Sequence, residues 1–163
     1  MTLTYGKLSP KDILAKAQRD LSRLEVAEAA QVANEISDAL FDLAVGLTSV
    51  KDWLKKHPSP TYKVVDVENY WKASEALSSF RDLANAGKHR KITKYTPTTI
   101  DALTSASNAP FTFVEAVAKA VGRGTKYPRM KIIRADGTRH RVVELGRAAI
   151  KECQSFITRY GVE

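Results

Sequence analysis

The sequence predicts a mainly α protein, an up-down helical bundle with a small antiparallel β-hairpin or meander before the last helix. Three features of the 163-residue chain point there. Apolar residues recur three and four apart through long stretches, the spacing of helices that bury one face. Capping hydroxyls, prolines and glycines stand at the ends of those stretches. Late in the chain, Asp136-Gly137 separates two runs of alternating character, the strongest short-range hairpin signal.

The first helix is expected over about 10–24. Ser9 supplies a cap, Pro10 suits the first helical position, and Asp12 stands three residues after the cap. Ile13, Leu14, Ala17, Leu21 and Leu24 then fall on one face. A second helix covers about 27–56. Its heptad-like stripe is Ala33, Ile36, Leu40, Leu43, Leu47, Val50 and Leu54, widened by Phe41, Ala44, Val45 and Trp53. His57-Pro58-Ser59-Pro60 stops it, with His57 a favourable charge at the helix end. A third helix is expected over about 66–86, with Asp66 as its cap. Tyr70, Ala73, Leu77, Phe80 and Ala84 form its inner stripe, and Gly87 reads as a left-handed stop.

A basic stretch from Lys88 to Lys94 follows, and residues up to Pro110 read as loop. Segment 111–121 fits a helix or a strand; strand is preferred, because a third strand would support an otherwise marginal hairpin. The hairpin itself is expected over about 130–143. A two-residue turn places Arg134 opposite Arg139 and Ile132 opposite Arg141. Met130, Ile132, Arg134, Arg139, Arg141 and Val143 then share a face that is apolar at its base and basic at its tip. His140 falls on the other face, beside Ile133 and Val142, as a structural histidine. The last helix is expected over about 145–160, burying Leu145, Ala149, Cys153, Phe156 and Tyr160 before Gly161. No repeat or linker divides residues 1–163, so one domain is expected.

Hydrophobic residues make up 44% and charged residues 27%, the balance of a chain that folds on a core. No apolar run is long enough to span a bilayer, and Met1 to Pro10 lacks a secretion-signal pattern. A cytoplasmic location without membrane association is therefore expected. The single cysteine, Cys153, permits no internal disulfide and offers no zinc spacing; no metal or other cofactor is expected.

The net charge of +8 is unevenly placed. Residues 1–87 hold 11 Lys/Arg and 12 Asp/Glu, a net of −1, whereas residues 88–163 hold 15 and 6, a net of +9. Clustered cations gain by releasing counterions from phosphate, so RNA or another polyanion is the partner to expect, against the plainer reading of a solubilising surface.

One segment gathers groups suited to such a partner: Arg81, Asp82, Asn85, Lys88 and His89. On a helical wheel Arg81 falls about 40° from Leu77, at the edge of the buried face, with Asn85 one turn further along. Arg81 brings a rigid fork of donors for phosphate, Lys88 a point charge, and Asn85 an amide. His89 can exchange a proton near neutral pH, as needed to move the proton of a ribose hydroxyl. The structural reading of the same residues pairs Arg81 with Asp38 or Asp42 and leaves Lys88 and His89 complementing a helix end. A separate reading has Arg134, Arg139 and Arg141 binding a duplex.

The pattern Arg81-Asp82-x-x-Asn85-x-x-Lys88-His89 resembles the signature of a family of uncharacterised bacterial and phage helical proteins. Asp52-Trp53-Leu54 and the late Asp136-Gly137 hairpin are similar as well, and the resemblance runs from about Asp12 to Tyr160. That family in turn resembles the HEPN superfamily of helical bundles, many of them ribonucleases whose motif is an Arg, a polar residue and a following His. The resemblance implies an HEPN-like homodimer in which Arg81 and His89 are catalytic. It implies further that Asp82, Asn85 and Lys88 contact the ligand and that RNA is cleaved without metal. The alternative is a non-catalytic structural or partner-binding module, in which this segment only stabilises the fold.

Overall fold

A computed structural model describes residues 9–30, 32–57, 59–88, 99–103 and 130–162. Within them lie five helices and three short antiparallel strands, a mainly helical bundle with a hairpin directly before the final helix. Segment 111–121 is outside the described residues.

Helix α1 (Pro10–Ala30) opens on the expected reciprocal cap. The Ser9 backbone N–H donates to Asp12 Oδ2 at 3.0 Å, and the Asp12 N–H donates to Ser9 Oγ at 3.3 Å. The helix runs past Leu24 to Ala30, because residues 25–30 are strong helix formers with no breaker among them. Helix α2 (Ala33–Lys56) therefore starts later than the periodicity suggests. Ile36, Leu40, Leu43, Leu47, Val50 and Leu54 are all buried, whereas Phe41 is 43% exposed and does not widen the stripe. At Gly46 the two helices approach closely: a Cβ there would lie 3.3 Å from Ala17 Cβ.

The expected third helix is two. Helix α3 (Val64–Ala73) and helix α4 (Glu75–Lys88) are separated by Ser74, whose backbone is extended. Ser74 Oγ accepts the Leu77 N–H at 3.0 Å, so a hydroxyl caps α4 in the middle of an apolar pattern. The break rotates the inner face of α3: Val67 and Trp71 are buried, while Ala73 is exposed. Asp66 is not the cap residue but the third helical position, accepting the Lys63 N–H at 2.7 Å.

The sheet has the order β1-β2-β3, with β1 (Thr99–Leu103), β2 (Lys131–Arg134) and β3 (Arg139–Arg141). Strand β1 lies in a stretch that reads as loop, since Thr99-Ile100-Asp101-Ala102-Leu103 is too short and mixed to announce itself. The hairpin loop has three residues, Ala135, Asp136 and Gly137, not two. The Arg134 N–H donates to Thr138 O at 3.0 Å, and the Gly137 N–H donates to Arg134 O at 2.9 Å. Gly137 sits at φ +85°, the left-handed position of a three-residue loop. Ile132 accordingly faces His140, and Ile133 faces Arg139. This one-residue slip moves every β3 side chain to the opposite face from that expected.

Helix α5 (Val142–Arg159) follows β3 at once, so Val142 and Val143 begin the helix instead of ending the strand. Leu145, Ala149, Cys153 and Phe156 are buried as expected, and burial pushes the Cys153 thiol pKa well up. At Gly146 the helix presses on both first helices: a Cβ there would lie 2.8 Å from Leu21 Cδ1 and 3.2 Å from Leu43 Cδ2. Phe156 anchors the far end among Tyr62, Tyr70, Trp71 and Tyr160. Gly161, at φ +59°, is the left-handed residue after the helix.

Candidate functional site

Helix α4 carries the candidate site, and it does not stop at Gly87. The helix continues to Lys88, so the glycine acts as an ordinary helical residue. Arg81, Asn85 and the Lys88 position are consequently spaced i, i+4 and i+7 along one face. The Arg81 side chain is 18% exposed, the edge position that the wheel gives it. Asn85 is half-buried. His89 lies outside the described residues.

Asp82 is only 2% exposed, and a ligand cannot reach it as the motif implies. Its Oδ1 instead accepts hydrogen bonds from Arg81 Nε at 3.0 Å and Arg81 Nη2 at 2.8 Å. Asp42, one of the two α2 acids considered as partners of Arg81, is engaged elsewhere: its Oδ2 accepts from Arg23 Nη1 at 2.9 Å. None of Arg81, Asp82 and Asn85 is without a partner.

Asp82 lies on a second covered side of α4, which the sequence pattern does not announce. Helix α4 is covered on two sides. Leu77, Phe80 and Ala84 form one buried face, and Ser78, Ser79 and Asp82 are buried on another. Strand β2 meets the first turn of this polar side through Arg134. Its Nη1 lies 2.8 Å from Glu75 O, 2.8 Å from Ser79 Oγ and 3.3 Å from Ser78 Oγ. Its Nε is 3.2 Å from Glu75 Oε1, an ion pair whose N–H is not aligned for a hydrogen bond. His140 Nε2 reaches the same carboxylate oxygen at 3.0 Å, as the hairpin register allows. The Ser78-Ser79 pair inside an apolar helix was the available signal, since adjacent hydroxyls beside a buried stripe need partners.

The basic hairpin tip is not assembled. Arg134 is turned into the molecule, 13% exposed. Arg141 Nη1 binds Glu144 Oε1 at 2.6 Å, and its Nη2 lies 3.7 Å from Glu28 Oε2. Arg139 is exposed and, among the described residues, makes no ion pair. The register slip is the cause, because it separates Arg139 and Arg141 from the face of Arg134.

Among the described residues, no group of three or more His, Cys, Asp and Glu side chains could hold a metal ion, and no helix is long and apolar enough to cross a membrane. No family model, curated protein or solved structure matches the chain.

Proposed function

We propose that the protein is an HEPN-like helical domain that binds RNA or a nucleotide through phosphate at the Arg81, Asn85 and Lys88 face of α4. The observation that carries this reading is the continuity of α4 through Gly87, which aligns those three positions. Arg81 supplies the fork, Lys88 the charge and Asn85 an orienting amide. In its sharpest form the reading is a metal-independent ribonuclease. His89 takes the proton of a ribose 2′-hydroxyl, whose oxygen attacks the adjacent phosphorus and displaces the 5′-oxygen. A homodimer that brings two such faces to one cleft belongs to the same proposal.

A second reading, a structural or partner-binding module, is favoured by one observation: Arg81 gives both Nε and Nη2 to Asp82. Incubating the purified protein with mixed RNA and a chelator separates the two. The nuclease reading expects cleavage that His89→Ala abolishes and binding that Arg81→Ala weakens. Absence of cleavage, or cleavage indifferent to His89, removes the nuclease. RNA affinity unchanged by Arg81→Ala, together with a lowered melting temperature, establishes the structural module in its place.

A further inference from the structure

We propose that Asp82 is a positioning residue for Arg81, which fixes the direction in which the guanidinium meets a phosphate. The role rests on the phosphate-binding reading above. Three observations carry it. Asp82 is the residue next to Arg81, so it is the shortest tether the chain can provide. At 2% exposure it is closed to any ligand, so it acts on one only through a neighbour. One carboxylate oxygen takes both Nε and Nη2, which fixes the orientation of the guanidinium plane as well as its position.

The arrangement matters because an unanchored arginine samples many rotamers and must surrender them to grip a phosphate. Anchoring it beforehand removes part of that cost. Held by Asp82, Arg81 offers directed N–H donors rather than a freely moving charge. Attraction at a distance falls to the basic second half of the chain, whose residues 88–163 carry a net +9. The burial of Asp82 is tolerable because its charge is paired with the Arg81 guanidinium.

Two measurements on the full chain test the role. The first is the arginine side-chain NMR spectrum of labelled protein, with the Arg81 Nε–H assigned by its absence in Arg81→Lys. A signal that exchanges slowly compared with exposed Arg139, and is lost in Asp82→Leu, which has no acceptor, is the expected result. An Arg81 Nε–H that exchanges as fast as that of Arg139 in the wild type overturns the proposal, whether or not Asp82→Leu folds.

The second is the affinity for a short fluorescent single-stranded RNA of mixed sequence, without divalent metal. Arg81→Ala and Asp82→Leu are each expected to weaken binding about tenfold, the loss of an aimed charged hydrogen bond. The double variant is expected to bind no worse than Arg81→Ala, since one effect acts through the other. Weakening by Arg81→Ala with full affinity in a folded Asp82→Leu overturns the positioning role and leaves the binding reading standing. Full affinity in Arg81→Ala overturns the binding reading, and the role of Asp82 with it.

Discussion

Arg134 shows what a buried guanidinium requires. Its desolvation is offset only because the Glu75 carbonyl, two serine hydroxyls and the Glu75 carboxylate surround it. Truncation removes the donor that Ser78 Oγ, Ser79 Oγ and the Glu75 carbonyl share, and hydrogen bonds lost at buried groups are costly. Arg134→Ala is therefore expected to destabilise the protein by about 2 kcal/mol. Arg139→Ala, on the same hairpin but exposed, should change stability by less than about 0.5 kcal/mol. Urea denaturation of both variants checks this, and equal midpoints would refute the inward placement of Arg134. The two arginines are alike in composition and in distance from Asp136-Gly137. What distinguishes them is a register set by hydrogen bonds across the loop, which residue identity alone does not disclose.

Helices α1, α2 and α5 were legible from their apolar spacing because each buries one broad face, and that spacing survives errors of several residues at the ends. The break at Ser74 was not legible, since Ser74 stands within a pattern that a continuous helix satisfies equally well. Only the choice of Ser74 Oγ as the partner of the Leu77 N–H decides it. The glycines divide by the same local criterion. Gly87 lies inside α4, where alanine is the better helix former, so Gly87→Ala should stabilise the protein by about 0.5 kcal/mol. Gly137, at φ +85°, should lose about 1 kcal/mol on the same substitution, because a Cβ strains the left-handed backbone. Thermal melts of the two variants should move in opposite directions. A marked loss in Gly87→Ala would restore the left-handed stop that the sequence suggested. For the candidate site, the sequence located Arg81 at the edge of the core but could not reveal Asp82's burial, because a charged residue on the flank of a helical wheel reads as exposed.

Across the whole molecule, the helices are tied by ion pairs at their rims, and one of them titrates in an accessible range. Glu68 of α3 accepts Lys51 and Lys55 of α2 at 2.6 Å each. Burial pushes the Glu68 carboxyl pKa up, but the two lysine hydrogen bonds outweigh it and hold the group below the ordinary glutamate value. The hydrogen bond to Glu68 raises Lys55 above the ordinary lysine value. For the acid, the folded value lies below the unfolded one, so its stabilisation is fully present above the ordinary glutamate value and is lost as pH falls from there through the lowered folded value. For the lysine, stabilisation is complete below its ordinary value and lost only as pH rises through the raised one. Glu68→Gln should cost about 0.5 kcal/mol at neutral pH, a small figure because the pair is part-exposed and screened. That difference should shrink toward zero below about pH 4. A difference that stays constant through the acid range would assign the effect to packing instead.

The close seat of Gly146 against Leu21 and Leu43 has a consequence for the growing chain. Helices α1 and α2 can pair as soon as both have been synthesised, since their contacts are between neighbours in sequence. The apolar surface around Leu21 and Leu43 then waits for α5, a helix made roughly a hundred residues later. Throughout that interval the apolar flank that Gly146 later meets stays without its final cover.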